Sequence, residues 1–411
     1  MKHDDIVVTG LGLVTPAGIG VEATWQGLLD GRPTATTDPR LAELASLDVD
    51  FTCRVHGSEP SRLLGRALAW RLDRPVQFAL LAAREAVADA GLTAGDWDPT
   101  RVAVVLGVGG NSLERYPREF GRLNADRADH ISPLTVVRSV PNMVPAEIAL
   151  DLGARGPSLS VATACASGTT ALGIARDLLR SGSCDLVITG GAESGTTPTA
   201  VACFQQMRAL STRTHDPAGA SRPFDRDRDG FVLGEGAGIL VLERAAHAAA
   251  RGAKSRALLA GYGASTDAHD VAAPHPEGRG AAEAMRAALH DAGLTPADVD
   301  HVNAHGTSTP LNDAAEFRAL RAVFGTPPPV TANKSVLGHA LGAAGGIEAA
   351  VTVLALQHRT IPPTANLDTP DPDLDLDVVR KEPRPARMRA AVSNSFGFGG
   401  QNAVAVFTTE T

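Results

Sequence analysis

Three stretches of the chain set nucleophilic or proton-carrying side chains among small residues. In Val161-Ala162-Thr163-Ala164-Cys165-Ala166-Ser167-Gly168 an apolar run ends, one thiol follows, and a helical pattern begins at once. A thiol just ahead of a helix faces unpaired N–H groups and the positive end of the helix dipole, which favour thiolate. The run Val302-Asn303-Ala304-His305-Gly306-Thr307-Ser308-Thr309 puts a histidine at a strand end, followed by hydroxyls. Asn333-Lys334-Ser335-Val336-Leu337-Gly338-His339 then sets a second histidine in a small-residue turn opening a helix. A lone cysteine is more often a small core residue, but the sharp strand–Cys–helix junction reverses that reading for Cys165; a lone histidine here reads equally as structural or functional. Two strand-end histidines with a candidate nucleophile in the other half of the chain favour a composite site. A fourth stretch, Asn394-Ser395-Phe396-Gly397-Phe398-Gly399-Gly400-Gln401-Asn402, reads plainly as a flexible turn before the last strand, 403–407. Its functional reading is a gate that carries backbone N–H donors to the site.

The elements that must position these residues alternate between strand and helix patterns. Buried strands are expected at 101–106, 159–163, 185–189 and 238–242, and amphipathic helices at 78–90, 166–180 and 280–292. That is an α/β chain. Asp89-Ala90-Gly91-Leu92-Thr93 closes a helix and leads through an acidic turn into a strand, and Asp291-Ala292-Gly293-Leu294-Thr295 does the same. Helix-end glycine is ordinary capping, but the shared flanking order points to a duplicated fold in which equivalent loops meet at a central cleft.

Three other motifs fail on inspection. Gly10-Leu11-Gly12 follows a strand but lacks the third glycine of a dinucleotide loop, so a tight turn is expected there. Asp225-Arg226-Asp227-Arg228-Asp229-Gly230 opens like a calcium loop, yet its twelfth position is Gly236 and two arginines offset the acids. His301 and His305 are spaced i, i+4 across a strand-to-turn junction with no Glu between, so no metal is expected.

Composition narrows the class further. With 411 residues, 44% apolar and 20% charged, the chain has ample material for a globular core. A net charge of −8 and only 4% aromatic residues argue against general nucleic-acid binding. The start of the chain shows no signal pattern and no apolar run approaches membrane-spanning length. Cys53, Cys165, Cys184 and Cys203 form neither a C-x-x-C pair nor a disulfide framework, which reads as reduced thiols in a cytoplasmic protein.

Arriving in this order, the Cys, His-Gly-Thr, Lys…Gly-His and Gly-Phe-Gly-Gly elements resemble those of the β-ketoacyl-acyl-carrier-protein synthases. The likeness runs from Val7-Val8-Thr9-Gly10 to the last strand. It implies the α/β thiolase fold, with duplicated βαβαβαββ halves in five layers, α-β-α-β-α. Residues 1–255 would carry the nucleophilic cysteine, and 256–411 the two histidines and the gating loop. By the same resemblance Cys165 holds the acyl group as a thioester. His305 and His339 bind the malonyl thioester carbonyl and promote decarboxylation. The N–H groups of Cys165 and Phe398 form the oxyanion hole, and Phe398 gates the site. Lys334 and Glu348 match the family's structural charge pair, and Thr307 and Thr309 would contact phosphopantetheine, which enters on the acyl carrier protein and not as a bound cofactor.

The resemblance also raises the arginines Arg62, Arg66, Arg71, Arg74, Arg208 and Arg213 as a docking surface for an acidic carrier. From sequence alone they read equally as a solvated basic surface. Gly110 falls where a bulky residue often closes the acyl pocket, which implies room for longer chains. Two pathways compete. Ala202-Cys203-Phe204, Ser221-Arg222-Pro223-Phe224-Asp225 and the run from Pro362 to Pro372 look like a type II polyketide ketosynthase, paired with a chain-length-factor-like subunit. Arg208-Ala209-Leu210-Ser211-Thr212-Arg213 and Phe396-Gly397-Phe398 are closer to a homodimeric fatty-acid elongation synthase. A degradative thiolase is disfavoured because no cysteine follows Cys203, and an inactive partner subunit because Cys165 is present.

Overall fold

The computed structural model describes residues 5–57, 60–93, 95–110 and 113–409; Met1–Asp4, on which part of the expectation of no signal pattern falls, lie outside them. Its elements, numbered here in chain order, fall into two series. The first runs β1 (Ile6–Thr15), α1 (Arg74–Asp89), β2 (Val102–Gly107), α2 (Met143–Leu152), β3 (Ser158–Val161), α3 (Ser167–Arg180), β4 (Leu186–Ser194) and β5 (Glu235–Arg244). The second runs β6 (Ala257–Thr266), α4 (Arg279–Ala292), β7 (His301–Asn303), α5 (Pro310–Phe324), β8 (Val330–Thr331), α6 (Ala344–His358), β9 (Ala390–Gly397) and β10 (Gln401–Thr408).

Each series has the order βαβαβαββ and builds five strands in the same way. From the seam outward the first lies β1-β5-β4-β2-β3 and the second β6-β10-β9-β7-β8. In both, the first two pairings are antiparallel and the last two parallel. The halves meet through a short antiparallel contact, Val7 opposite Leu258 and Val8 opposite Ala257. This is the duplicated thiolase arrangement.

Three cores account for the layers. One packs α1 and α2 on the outer face of the first set of strands, through residues such as Phe78, Leu80 and Ile148. Another packs α4 and α5 on the second set, through Met285, Leu289 and Leu320. The third, between them, is built around α3 and α6. Helix α6 is buried continuously from Ala344 to Leu356, and apolar character all the way round, rather than on one stripe, suits it to lie between two sheets.

The repeated pentapeptide has the same physical job in both halves. Asp89 Oδ2 accepts the N–H of Leu11 at 2.8 Å, and Asp291 Oδ2 accepts that of Tyr262 at 2.9 Å. Each acid therefore ties a helix end to the first strand of its half. The Gly10-Leu11-Gly12 segment lies inside β1 and is not the expected turn. A Cβ at Gly12 would sit 1.8 Å from the Ala82 carbonyl oxygen of α1, and one at Gly263 in β6 2.2 Å from that of Ala284 in α4. These glycines let a helix backbone approach the strand. The acid-rich loop is structural: Asp225 accepts the N–H groups of Asp227, Asp368 and Thr369 and pairs with Arg222 at 3.0 Å. His301 is buried, with Nδ1 3.0 Å from the Pro329 carbonyl oxygen. Replacing Gly12 or Gly263 by alanine should each lower unfolding free energy by about 1–3 kcal/mol or more, as overpacked sites do. An unchanged denaturation midpoint for both would contradict the close-approach argument.

Candidate active site

Cys165 lies in the three-residue turn between Thr163 and α3. Ala164 takes φ 49°, a left-handed conformation costly for a residue with a Cβ. The turn is braced: Ser167 Oγ donates to the Ala164 carbonyl at 2.6 Å and accepts the Thr163 N–H at 2.9 Å. The thiol is thereby projected from the helix entrance while remaining 5% exposed.

The second half delivers both histidines to this point. His305 follows β7, and its N–H and that of Gly306 donate to the two oxygens of buried Glu316 on α5, at 2.9 and 2.8 Å. His339 is clamped by its backbone, its N–H donating to Val232 at 2.7 Å and its carbonyl accepting from Gly234 at 2.9 Å. Its Nε2 stands 3.1 Å from Cys165 Sγ. The two imidazoles meet edge to face, 5.3 Å between centroids. Lys334 Nζ pairs with Glu348, donates to the His305 carbonyl at 2.6 Å and lies 3.3 Å from His305 Nδ1.

Those contacts set the protons. An ammonium has only donors, so Lys334 makes His305 Nδ1 an acceptor and leaves the ring proton on Nε2. Burial, then the Lys334 charge and the neighbouring His339, holds His305 well below the usual histidine range. Burial and then Lys334 do the same to His339, so both rings are neutral. Burial pushes the Glu348 carboxyl up to about 7 against the opposing pull of Lys334. It also pushes the Cys165 thiol up to about 11, outweighing the Lys334 charge and the Phe398 N–H that favour thiolate. The expected thiolate is thus a resting thiol, because desolvation of the charged form exceeds what the helix entrance returns. No side chain among the described residues bonds His339 Nδ1, so its surroundings do not lock one tautomer.

Cys165 and Phe398 stand between two cavities. One, of about 410 Å³, is lined by His305, His339, Thr307, Thr309, Met207 and Arg208. The other, of about 220 Å³, is lined by Val108, Gly110, Leu113, Val144, Phe204 and Leu341. Phe398 stacks on Phe204 at 6.1 Å. The Gly399 N–H donates to Val271 and the Gly400 carbonyl accepts from Asp267, both at 2.9 Å. The 394–402 segment is less loop than expected: Asn394–Gly397 belongs to β9, and only Phe398–Gly400 turns. Thr307 and Thr309 hydroxyls lie 2.9 Å apart on the wall of the larger cavity, and Thr309 also caps α5.

The six arginines separate. Arg62, Arg66 and Arg208 are exposed. Arg71 pairs with Glu147, and half-buried Arg213 donates to the Asp227 carbonyl. Arg74 departs from the expected docking set: it turns inward over the Phe78 ring at 4.7 Å, with Nε and one terminal nitrogen engaged by fully buried Glu235 and the Val55 carbonyl. Three site residues were missed. Glu316 and Asn394, 3.1 Å apart, brace the His305 loop. Glu193 accepts the Gly109 N–H at 2.7 Å beside the smaller cavity, where burial pushes its carboxyl up to about 7. A charged residue closing the apolar Gly-Gly-Ala run of β4 was the available signal for Glu193.

The raised thiol makes a direct prediction. Only thiolate is alkylated readily, so Cys165 labelling by iodoacetamide, followed on its own peptide apart from exposed Cys203, should keep climbing from about pH 7 to about pH 10 at nearly tenfold per unit. A plateau below about pH 8 would instead reveal a thiolate–imidazolium pair.

Known proteins match this arrangement throughout. The Beta-ketoacyl synthase N-terminal domain profile matches residues 3–248, and the C-terminal domain profile residues 256–368. The chain is 42% identical to 3-oxoacyl-[acyl-carrier-protein] synthase 2 of Synechocystis sp. over 99% of its own length and 98% of the relative's. It shows the same identity and coverage with the enzyme of that name from Staphylococcus aureus. Among solved structures, the ishigamide ketosynthase/chain length factor covers both chains fully at TM-score 0.93 and 36% identity. A type II polyketide acyl-carrier protein complex with its hexaketide-bound ketosynthase does so at 0.92 and 31%. With the thiol and two neutral imidazoles gathered between paired cavities, the chain belongs to the β-ketoacyl synthase family and is a ketosynthase, a condensing enzyme of the acyltransferase type.

Proposed function

We propose that this ketosynthase extends a Cys165-bound acyl chain with malonyl-acyl carrier protein, as the catalytic subunit of a type II polyketide pathway. The observation that carries the chemistry is Cys165 Sγ 3.1 Å from His339 Nε2, between one cavity that reaches His305 and another running away behind the thiol. The acyl carrier thioester enters past Thr307 and Thr309. Sγ attacks its carbonyl, the thiol proton passes to His339, and His339 returns it to the departing pantetheine thiolate. The N–H groups of Cys165 and Phe398 receive the oxyanion. The acyl chain then occupies the smaller cavity.

Malonyl thioester follows into the larger cavity. Its carbonyl oxygen takes hydrogen bonds from His305 Nε2–H and from His339 in its Nε2–H tautomer. Loss of carbon dioxide places the electron pair on this enolate, and each donor lowers the barrier by about a few kcal/mol. The carbanion attacks the acyl thioester, Cys165 leaves, and a β-ketoacyl carrier protein departs. No step asks for a bound cofactor or metal.

Several features bear on pathway and partner. A Cβ at Gly110, which lines the smaller cavity, would meet nothing within 4 Å among the described residues, so none of them fills the place a bulky residue would take. That supports long-chain substrates and the polyketide reading. Whole-length 42% identity to enzymes named 3-oxoacyl-[acyl-carrier-protein] synthase 2 favours the alternative, a homodimeric fatty-acid elongation synthase. Strand β3 is the outer edge of the first set of strands, with Leu159 and Leu150 exposed beside it. An open edge with apolar flanks suits pairing with a second subunit, either another copy or a chain-length-factor-like partner. Arg62, Arg66 and Arg208 are the exposed arginines of the set open to an acidic carrier, with Arg71, its side chain 42% exposed, beside Glu147. No helix among the described residues is long and apolar enough to cross a membrane; the place of action in this reading is the cytoplasm.

Elongation by the purified protein, given acyl- and malonyl-carrier protein and read by intact-carrier mass spectrometry, tests this reading. Product only with a co-expressed partner subunit supports the polyketide heterodimer; robust product from the protein alone supports the fatty-acid homodimer. Cys165→Gln should abolish condensation while malonyl decarboxylation persists, and continued elongation would remove Cys165 as nucleophile. Gly110→Ile should shorten the preferred acyl chain, and an unaltered preference would detach Gly110 from chain-length control.

A further inference from the structure

The smaller cavity is not lined by apolar residues alone. Asp73, Arg74, Glu114 and Arg138 also line it, and the same four residues line a second cleft of about 500 Å³, so the two adjoin there. That cleft is rich in arginine: Arg54, Arg74, Arg115, Arg118, Arg122 and Arg138 face it, against the acids Asp73, Glu114 and Glu119. Most of these charges are already matched. Arg74 and Arg54 lie on Glu235, Arg115 on Asp73, and Arg118 and Arg122 on Glu119. Arg138 differs. Among the described residues no carboxylate lies within ion-pair distance of it, although the residue is only half exposed and stands on the short helix Thr135–Ser139 beside the cavity. Its guanidinium lies over the indole of Trp70, 5.6 Å from the ring centroid. A guanidinium drawn to an aromatic face in this way keeps its N–H groups available to donate. Glu114, the remaining acid of the shared wall, is exposed to solvent.

We propose that Arg138 is a specificity-determining residue, and that this ketosynthase prefers acyl chains whose far end carries an oxygen acceptor, a carboxylate or an amide carbonyl, over methyl-terminated chains. The inference rests on the smaller cavity being the acyl site. A chain fixed at Cys165 passes Val108, Gly110 and Leu113 and reaches the shared wall, where a methyl end would meet guanidinium and carboxylate groups. An sp2 oxygen there takes a charge-assisted hydrogen bond from Arg138, and the apolar stretch before it stays in contact with apolar walls. Gly110 is what leaves this path open.

The test compares acylation of Cys165 by carrier-bound chains of matched length ending in carboxylate, carboxamide or methyl, across a length series, by intact-protein mass spectrometry. At the length that spans the cavity, the carboxylate-ended chain should transfer about tenfold or more faster than its methyl counterpart, as one charge-assisted hydrogen bond allows. An equal gain for the carboxamide would identify the carbonyl oxygen as the recognised group; a gain for carboxylate alone would identify the charge. In Arg138→Met the ratio of the two rates, taken within the same protein, should fall to near one. Equal or slower transfer of both oxygen-ended chains by the unaltered protein overturns the proposal while leaving the ketosynthase reading intact. A ratio that survives Arg138→Met overturns the assignment to Arg138. Failure of every chain to acylate Cys165 would overturn the acyl-site reading itself.

Discussion

The architecture turns on how closely two helix entrances approach each other in the central layer. A Cβ at Gly168, the second residue of α3, would lie 2.5 Å from the Gly346 nitrogen of α6, and one at Gly238 in β5 would lie 2.3 Å from the Ile347 nitrogen. The backbones are therefore in direct contact where a side chain on either would hold them apart. That contact sets the thiol at the entrance of α3 against the histidine loop leading to α6. Cys165 and His339 are 174 positions apart in the chain, yet their side chains meet at 3.1 Å. The two sheets, the seam between β1 and β6, and the outer helices hold this pair of entrances in place.

Around that contact the electrostatics are arranged by burial. Lys334 and Glu348 are both about fully enclosed, and such a pair is justified less by net stability than by what it orients. Here the ammonium addresses the carbonyl and Nδ1 of His305, which fixes that ring's proton on Nε2. Glu316 holds the backbone of the same loop from the opposite side. His305 is thus built as a fixed donor. His339 has its backbone clamped but its Nδ1 unbonded within the described protein, which suits a group that exchanges a proton with a thiol and then donates one to a carbonyl. The two histidines are alike in sequence and unlike in duty, and the difference lies in their partners.

The cavities give the chemistry a direction. One lies on the side of His305 and the hydroxyls Thr307 and Thr309; the other leads away past Gly110 toward charged side chains. Phe398 belongs to both walls and stacks on Phe204, which in turn packs edge-on to Phe231, beside His339. A chain of aromatic contacts therefore links the gate position to the catalytic imidazole. Movement of Phe398 would be felt at His339 through packing alone.

Much of this was legible in the residues. Strand and helix periodicity marked the α/β class, the pentapeptides at Asp89 and Asp291 marked the duplication, and each recurs in the structure because a local physical need, burying a face or capping a helix, writes itself into neighbouring positions. Cys165, His305, His339 and Lys334 stood out because small residues surround them. The failures share a different cause. Gly10 and Gly12 looked like a turn because the helix that needs their missing side chains lies some 70 residues away. Arg74 looked like surface because its partner, Glu235, is 161 positions distant. Glu316 carries no local mark, since a buried acid on a helix is defined by the backbone N–H groups that reach it from elsewhere. The sequence by itself determined which side chains could do chemistry and the repeating elements that carry them. Tertiary structure alone decided the protonation of the thiol and imidazoles, the division of the arginines and the course of the cavities, because desolvation and long-range pairing depend on what surrounds a group in space.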